Sequence, residues 1–234
     1  MFRVIAIDGP AGAGKSTVAK KVAERLGFVY LDTGAMYRAI TLKVLNTKID
    51  LEDEQAVFLA AKDGKLDFSS DGIILDGKLV EKEIRSSEVT KNVSKVSSYG
   101  KVREVLVDKQ REISMGKNSV VDGRDIGTVV FPNAWLKIFL TASVDERANR
   151  RFRENCSQAY FDEIKKAKAS SEEIKKAKTS FEEIKKAIEE RDYMDSNREI
   201  SPLKQATDAI LLDTTSKNID QVTDEIVELA GGRS

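Results

Sequence analysis

A glycine-rich pattern near the start of the chain constrains its fold more than any other feature. Residues 9–16 read Gly-Pro-Ala-Gly-Ala-Gly-Lys-Ser, with the spacing G-x-x-x-x-G-K-S. The apolar run 4–7 precedes this pattern and a helical pattern at 17–26 follows it. A strand, a glycine-rich turn and a helix in this order direct backbone N–H groups and a helix N-terminus toward phosphate oxygens. An ordinary glycine-rich turn is the alternative interpretation.

The residues of this loop have distinct predicted roles. Lys15 supplies a mobile positive charge for the phosphate that is transferred. The Ser16 hydroxyl is placed to bind Mg²⁺. The predicted phosphate-binding set consists of Gly9, Pro10, Ala11, Gly12, Ala13, Gly14, Lys15, Ser16 and Thr17.

Composition limits the chemistry that the chain can perform. Its 234 residues include no histidine and a single cysteine, Cys156. Nucleophilic triads based on histidine are therefore excluded, a zinc site is disfavoured, and no disulfide can form within the chain. Phosphoryl transfer remains possible, because it depends mainly on positioning and on the stabilisation of charge.

Charge and hydropathy lead to expectations about partners and location. Lys and Arg together number 39, as do Asp and Glu, so no chain-wide surface for nucleic acid is expected. No apolar run approaches the ~18–20 residues that cross a membrane. Because the first strand is predicted to begin at residue 3, we expect no signal peptide. We expect a cytoplasmic protein without membrane or nucleic-acid partners.

Apolar runs alternate with helical patterns, which predicts an α/β fold with a mainly parallel sheet. The predicted strands are 3–7, 29–31, 119–121, 136–140 and 209–212. The predicted helices are 15–26, 34–45, 87–94, 99–115, 144–154 and 219–229. Residues 47–85 do not fit this alternation, because Ser70-Asp71-Gly72 and Asp76-Gly77 separate short apolar runs. That segment predicts a small antiparallel insert of two or three strands.

A five-residue pattern recurs every ten residues in the second half of the chain. Glu-Ile-Lys-Lys-Ala occurs at 163–167, 173–177 and 183–187. Ser170 and Ser180 each stand three residues before a glutamate, the spacing of a helix capping box. The repeat predicts a local duplication that lengthens an exposed helical excursion, and a dedicated partner-binding arm is the alternative.

Polar residues follow two of the predicted strands and point to a second ligand. Thr33, Tyr37 and Arg38 follow the second strand, where they could hold a phosphate-bearing substrate. The alternative there is a helix cap by Thr33 beside a solvated arginine. Asp122 follows the third strand, where phosphate-loop enzymes hold Mg²⁺ through water. The neighbouring Arg124 and Asp125 lie on the same rim, and a structural ion pair is the alternative.

Arginines bracket the repeat and suit the recognition of phosphate oxygens. They are Arg147, Arg150, Arg151 and Arg153 after the fourth strand, then Arg191 and Arg198 beyond the repeat. On a movable excursion they would close over the phosphates and exclude water. A solvated surface role is the alternative for each of them.

The chain resembles the bacterial cytidylate (CMP) kinases over almost its whole length. The resemblance is carried by IDGPAGAGKS, LDTGAMYR, KVRE, DGRDIGTVVFP, ERDYMDSNR and LLDTT. It implies a three-layer P-loop NTPase fold with a five-stranded parallel sheet, a small antiparallel β insert and a helical lid. The implied division is a core at 1–46, the insert at 47–85, monophosphate-site helices and core at 86–143, the lid at 144–200, and core again at 201–234. The threefold repeat departs from the usual, shorter lid.

The resemblance also implies a role for individual residues. The implied cytosine contacts are Thr33, Ser94, Arg103 and Asp125. The implied monophosphate contacts are Tyr37, Arg38, Arg124 and Arg198. Asp195, with Arg191, resembles the ribose contact. Arg147 resembles an adenine-stacking residue and Arg151 a phosphate contact. Thr214 would belong to the loop beside adenine. The implied catalytic set is Lys15, Arg124, Arg151, Arg191 and Arg198, with Ser16 and Asp122 as the metal site.

The implied activity is transfer of phosphate from ATP, with Mg²⁺, to CMP or dCMP in pyrimidine nucleotide metabolism, by a monomer acting on small molecules. A phosphate-loop kinase for UMP, AMP or a non-nucleotide acceptor is the nearest alternative. A nucleotide-dependent switch is a further one, although the chain lacks the guanine-reading pattern Asn-Lys-x-Asp. An arginine donor beside a carboxylate or hydroxyl acceptor suits the cytosine edge, whereas uracil would leave buried polar groups unpaired.

Overall fold

The computed structural model describes residues 2–69, 71–155 and 171–232, and these residues contain eight strands and eight α-helices. The strands are β1 (Val4–Asp8), β2 (Val29–Asp32), β3 (Leu66–Ser69), β4 (Gly72–Leu75), β5 (Lys78–Leu79), β6 (Ser119–Gly123), β7 (Leu136–Thr141) and β8 (Ile210–Asp213). The helices are α1 (Lys15–Leu26), α2 (Thr33–Asn46), α3 (Glu54–Asp63), α4 (Ser87–Ser98), α5 (Gly100–Ser114), α6 (Val144–Asn155), α7 (Ser171–Asn197) and α8 (Ile219–Gly231). A 3₁₀ turn spans Glu83–Arg85 and a π turn spans Ile126–Val130.

The central sheet has five parallel strands in the order β2-β6-β1-β7-β8. Side chains of α1 and α8, such as Val22 and Ile226, form the core on one face. Side chains of α2, α4 and α5, such as Met36 and Leu106, form the core on the other. The predicted three-layer fold with a five-stranded parallel sheet is therefore confirmed. Because all five strands run the same way, the loops that follow them gather at one edge.

The insert between α2 and α4 is a three-stranded antiparallel sheet, β3-β4-β5, as the turn patterns predict. It also contains α3, which those patterns did not predict. Asp53 caps α3 by accepting a hydrogen bond from the Ala56 N–H at 3.0 Å. Val57, Ala60 and Ala61 bury one face of this helix in the core.

The start of α2 rules out the alternative in which Thr33 caps this helix. Asp32, not Thr33, is the N-cap residue, and its carboxylate accepts a hydrogen bond from the Ala35 N–H at 2.8 Å. A carboxylate reaches this N–H as well as a hydroxyl does and adds favourable charge at the helix N-terminus. Thr33 is therefore free to use its hydroxyl elsewhere.

The third copy of the repeat lies within α7, a helix of 27 residues. Ser180 is inside this helix and caps nothing, so its spacing from Glu183 is not a capping box. Ser170 and the first copy lie outside the described residues. Lys186 lies 3.6 Å from Glu190 and Lys185 lies 2.7 Å from Asp145 of α6. Neither α7 nor any other helix in the described ranges has both the length and the apolar character that a membrane span needs.

Candidate active site

The phosphate loop, residues 9–14 with Lys15 and Ser16, joins β1 to α1. Gly9, Gly12 and Gly14 all have positive φ angles, of 149°, 77° and 86°. A Cβ atom at Gly9 would overlap the backbone carbonyl of Leu140, so this turn requires glycine. The Lys15 ammonium is buried and donates to the Pro10 carbonyl at 2.7 Å. The loop therefore has the curled shape and positive charge that a phosphate group requires.

Burial and charge place Lys15 at the centre of the site. Burial lowers the pKa of Lys15 well below its usual value, and nearby Arg124 lowers it further. The carboxylates of Asp122, Asp195 and Asp8 oppose this effect on the pKa. These residues come from β1, β6 and α7, so three separate parts of the chain meet at the lysine.

Asp122, Ser16 and Tyr30 form a hydrogen-bonded group beside the loop. The Ser16 hydroxyl donates to Asp122 Oδ2 at 2.8 Å, and the Tyr30 hydroxyl donates to Oδ1 at 2.9 Å. Burial and the neighbouring Asp32 raise the pKa of Asp122 to about 7. A buried carboxylate adjoining a hydroxyl and the phosphate loop is a donor set that suits Mg²⁺. Tyr30 was not predicted, because a tyrosine in a strand is ordinarily a packing residue.

Thr33 lies next to this group and joins β6 to α2. Its hydroxyl donates to the backbone carbonyl of Asp122 at 2.7 Å. The contact fixes the start of α2, and with it Tyr37 and Arg38, against the strand that carries Asp122. In this structure the Thr33 hydroxyl is therefore used within the protein.

A buried ion pair between Arg103 and Asp125 forms a second polar site. Arg103 Nη2 contacts Asp125 Oδ2, and Nη1 donates to the Ser97 carbonyl at 3.1 Å. The guanidinium carbon of Arg103 lies 5.3 Å from the centre of the Tyr37 ring. Both members of the pair are almost fully buried, with side-chain exposures of 3% and 6%. Ser94 is also buried, one turn before Ser97 on α4.

Two guanidinium donors at this second site lack hydrogen-bond acceptors in the part of the chain that the structure describes. They are Arg103 Nε and Arg198 Nη2. Arg198 Nη2 lies 3.8 Å from Asp125 Oδ1, which puts this guanidinium beside the ion pair. Buried donors without acceptors are costly, so such a site favours a ligand that brings acceptor atoms.

Arg38, Arg124, Arg151 and Arg191 form what we call the guanidinium cluster. Arg124 Nε donates to Asp195 Oδ2 at 2.9 Å, and Arg191 Nε lies 4.0 Å from the same oxygen. Burial lowers the pKa of Arg191 to about 10, and Arg124, Arg38 and Arg151 contribute to that shift. Burial alone would raise the pKa of Asp195, but Arg124 and Arg191 hold it below its usual value. The cluster is thus a strong site for an anion.

Arg147 and Arg150 of α6 join the phosphate loop to the last strand. Arg147 Nη1 donates to the Ala11 carbonyl at 3.0 Å and lies 2.6 Å from Asp192 of α7. Arg150 donates to the hydroxyl and carbonyl of Thr214 at 3.0 and 2.6 Å. The single hydrogen of the Thr214 hydroxyl is shared between the carbonyls of Thr141 at 3.0 Å and Ala13 at 3.3 Å. The outer wall of the loop is therefore built by α6 and the segment after β8.

Most of the predicted site residues therefore meet at one edge of the sheet. Arg151 is the most peripheral, because its side chain is half exposed and pairs with Glu154 at 2.9 Å. Asp8 is a buried carboxylate at the same edge that sequence analysis missed. Its position directly before Gly9 was the available signal.

Comparisons with known proteins identify the family of the chain. The model of the family described as cytidylate kinase matches residues 5–231. The chain belongs to the cytidylate kinase family. Cytidylate kinases from Alkaliphilus oremlandii and Caldanaerobacter subterraneus are 49% and 50% identical to it over 234 and 227 residues. These matches cover 99% of both chains for the first, and 96% of this chain and 92% of the relative for the second.

Membership of the cytidylate kinase family makes the chain a phosphotransferase that phosphorylates CMP from a nucleotide donor. The predicted enzyme class is confirmed, and a nucleotide-dependent switch is excluded as its principal role. A solved shikimate kinase from Acinetobacter baumannii shows a weaker likeness, with a TM-score of 0.43 and 14% identity over 100% of this chain and 96% of that one.

Proposed function

We propose that this cytidylate kinase transfers the γ-phosphate of ATP to CMP and dCMP, with Mg²⁺, yielding ADP and CDP or dCDP. The observation that carries the proposal is the placement of two consecutive residues. Arg124 belongs to the guanidinium cluster beside Lys15, whereas Asp125 forms the buried pair with Arg103. A nucleotide whose base meets Asp125 would therefore present its phosphate to Arg124 and Lys15.

The donor site is proposed to be the phosphate loop and its outer wall. The loop amides and Lys15 would hold the β- and γ-phosphates of ATP. Arg147 and Thr214 would lie beside the adenine, since both adjoin the loop on the side of α6 and β8. Ser16 and Asp122 would hold Mg²⁺, with water completing its coordination. The ion, when bound, would neutralise charge on the β- and γ-phosphates.

The acceptor site is proposed to recognise cytosine because its hydrogen-bond donors and acceptors complement those on the edge of the base. Arg103, whose Nε donor is unpaired among the described residues, would donate to the O2 and N3 acceptors of the base. The carboxylate of Asp125, aided by the hydroxyls of Ser94 and Thr33, would accept from the exocyclic amino group. Uracil presents a donor at N3 and an acceptor at position 4, so it would leave buried groups unpaired.

The chemical step needs positioning more than proton transfer. An oxygen of the CMP phosphate attacks the γ-phosphorus in line, and the bond to the β–γ bridging oxygen breaks to release ADP. The acceptor phosphate is largely ionised near neutral pH, so no strong general base is required. Tyr37, Arg38, Arg124 and Arg198 would orient this phosphate, while Lys15, Arg151 and Arg191 would neutralise charge on the transferred group. Asp195, with Arg191, would contact the ribose.

Partners and location follow as part of the same proposal. The equal numbers of acidic and basic residues support an enzyme that acts on small molecules rather than on nucleic acid. We place it in the cytoplasm as a monomer, where its nucleotide substrates would be available.

A coupled kinase assay with CMP, dCMP, UMP and AMP tests the base assignment. We expect the kcat/KM values for CMP and dCMP to exceed those for UMP and AMP by at least about a hundredfold, because unpaired buried polar groups discriminate strongly. ATP and Mg²⁺ are held at saturating concentrations in all four reactions. A preference for AMP would contradict the proposal.

Replacement of Tyr30 by phenylalanine should raise the Mg²⁺ requirement of the enzyme. The variant removes the hydrogen bond to Asp122 Oδ1 but keeps the ring, so the carboxylate loses one of its two side-chain partners. We expect about a tenfold increase in the Mg²⁺ concentration for half-maximal rate, since partners that orient metal ligands contribute 10–100-fold. The measurement is initial rate against free Mg²⁺ at saturating ATP and CMP.

The matched control for that variant is Tyr99→Phe. Tyr99 donates to the Leu51 carbonyl at 2.7 Å, away from the proposed metal site. It should leave the Mg²⁺ dependence unchanged. Equal Mg²⁺ dependence in Tyr30→Phe and the unmodified enzyme would show that Tyr30 does not orient the proposed ligand.

A further inference from the structure

Asp8 is a buried carboxylate at the end of β1 whose partners are backbone N–H groups. Its oxygens accept hydrogen bonds from the Ile126 N–H at 2.8 Å and from the Gly127 N–H at 2.7 Å. The residue is 4% exposed. Burying a charge is costly unless it is well hydrogen-bonded, so this arrangement is maintained against a substantial desolvation penalty. Burial raises the pKa of Asp8 to about 6, and the two backbone hydrogen bonds oppose that rise.

The two N–H groups open the π turn Ile126–Val130, and Asp8 takes the place of a cap for it. Asp125, the residue before the turn, makes no capping hydrogen bond with its own side chain. Its carbonyl accepts from the Val129 and Val130 N–H groups at 2.8 and 3.2 Å. The Asp125 side chain is left for Arg103. Asp8 of β1 thus accepts from the N–H groups that the side chain of Asp125 would satisfy if it capped the turn.

The turn held in this way directly follows the two residues that join the phosphate and base sites. Arg124 and Asp125 lie between Gly123, which pairs with Asp8 in the sheet, and Ile126, whose N–H Asp8 binds. Both ends of this dipeptide are therefore fixed by the same residue of β1. That residue is also joined directly to Gly9, the first residue of the phosphate loop.

We propose that Asp8 is a positioning residue for the acceptor nucleotide, which aims Arg124 and Asp125 by holding the turn after them to the root of the phosphate loop. It touches neither substrate in this proposal. Its effect would pass through the turn, so its loss would weaken the acceptor site more than the donor site. The proposal rests on the proposed function, because it uses CMP as the acceptor.

Asp8→Asn tests this inference because it keeps the shape but loses one acceptor. The amide nitrogen would face a backbone N–H, so one end of the turn would be released. We expect CMP to bind about tenfold more weakly or worse, and kcat/KM for CMP to fall by about ten- to hundredfold. The affinity for a non-hydrolysable ATP analogue should stay within about threefold. Calorimetric titration of each ligand and steady-state kinetics make the comparison.

Thr223→Val is the matched control for the loss of a buried hydrogen bond. Thr223 is fully buried in α8 and donates to the Ile219 carbonyl at 2.7 Å, remote from the site. It should lower the melting temperature and leave both ligand affinities unchanged. Should Asp8→Asn fail to fold, Asp8→Glu keeps both acceptors and displaces the turn, and the same imbalance between CMP and the ATP analogue is expected.

The outcomes separate this inference from the proposed function. If the unmodified enzyme does not bind CMP, the proposed function fails. If it binds CMP and the Asp8 variants lose both ligands equally, or lose neither, Asp8 has only a structural role and the inference is overturned. The inference is supported if an Asp8 variant with the same melting temperature as Thr223→Val loses affinity for CMP but keeps its affinity for the ATP analogue.

Discussion

Replacement of Lys15 by methionine should lower kcat by about a thousandfold or more while leaving the fold intact. Methionine matches the stem of the buried lysine but lacks its charge, which lies among Arg124, Asp122 and Asp195. Removal of one group that stabilises charge in a transition state commonly costs about 10²–10³ in kcat, and a cation on the transferred phosphoryl group contributes up to 10⁵. The measurement is kcat at saturating ATP, CMP and Mg²⁺.

Lys20→Met is the control for that experiment. Lys20 is an exposed residue of the same helix, α1, so the variant loses an equal charge away from the loop. Its kcat should stay within about twofold of the unmodified enzyme. A Lys15→Met variant that retained a tenth of the activity would show that the loop amides and arginines suffice without the ammonium group.

Arg103→Leu should both destabilise the enzyme and abolish its selectivity for cytosine. The variant leaves the buried Asp125 carboxylate without its closest cation. Because an unpaired buried charge is costly, we expect the free energy of unfolding to fall by about 3–5 kcal/mol. The variant also removes the donor proposed for cytosine, so kcat/KM for CMP should fall by at least about a hundredfold. Chemical denaturation measures the first effect, and kinetics with CMP and UMP measures the second.

The double variant Arg103→Leu with Asp125→Asn separates the two effects. With no unpaired charge left, we expect about half of the lost stability to return, whereas the use of CMP should not recover. Arg25→Leu is the control, because Arg25 pairs with Asp224 on the surface and exposed pairs contribute about 0–1 kcal/mol. Recovery of CMP selectivity in the double variant would contradict the proposed role of the pair.

The sequence permitted prediction of the parts of the fold whose signals are local. The central strands are apolar runs covered on both faces, and the phosphate loop has a fixed spacing, so both could be recognised without a structure. Helix α3 was missed because it lies within a segment dominated by turn signals. The choice between Thr33 as a ligand contact and Thr33 as a cap could not be made from sequence, because Asp32, one residue earlier, satisfies the same N–H through a stronger acceptor.

The site was predictable where chemistry-bearing residues lie at or just beyond the end of a strand, as Asp122 and Arg124 do. Asp8 and Tyr30 were not, because what distinguishes them is their partners. Asp8 meets Gly127, 119 positions away, and Tyr30 meets Asp122, 92 positions away. Only the packing of parallel strands brings these residues together, and no spacing along the chain reports it. The exact placement of Arg198 depends on the same kind of contact.

Two guanidinium groups, those of Arg124 and Arg191, share the single Asp195 oxygen described above. Such a surplus of positive charge does not distinguish a nucleotide from a simple oxyanion. We expect sulfate or inorganic phosphate in a buffer to occupy the same place and to compete with CMP. Affinities measured in phosphate buffer should then describe an exchange of one anion for another, and chloride-based buffers should give tighter CMP binding.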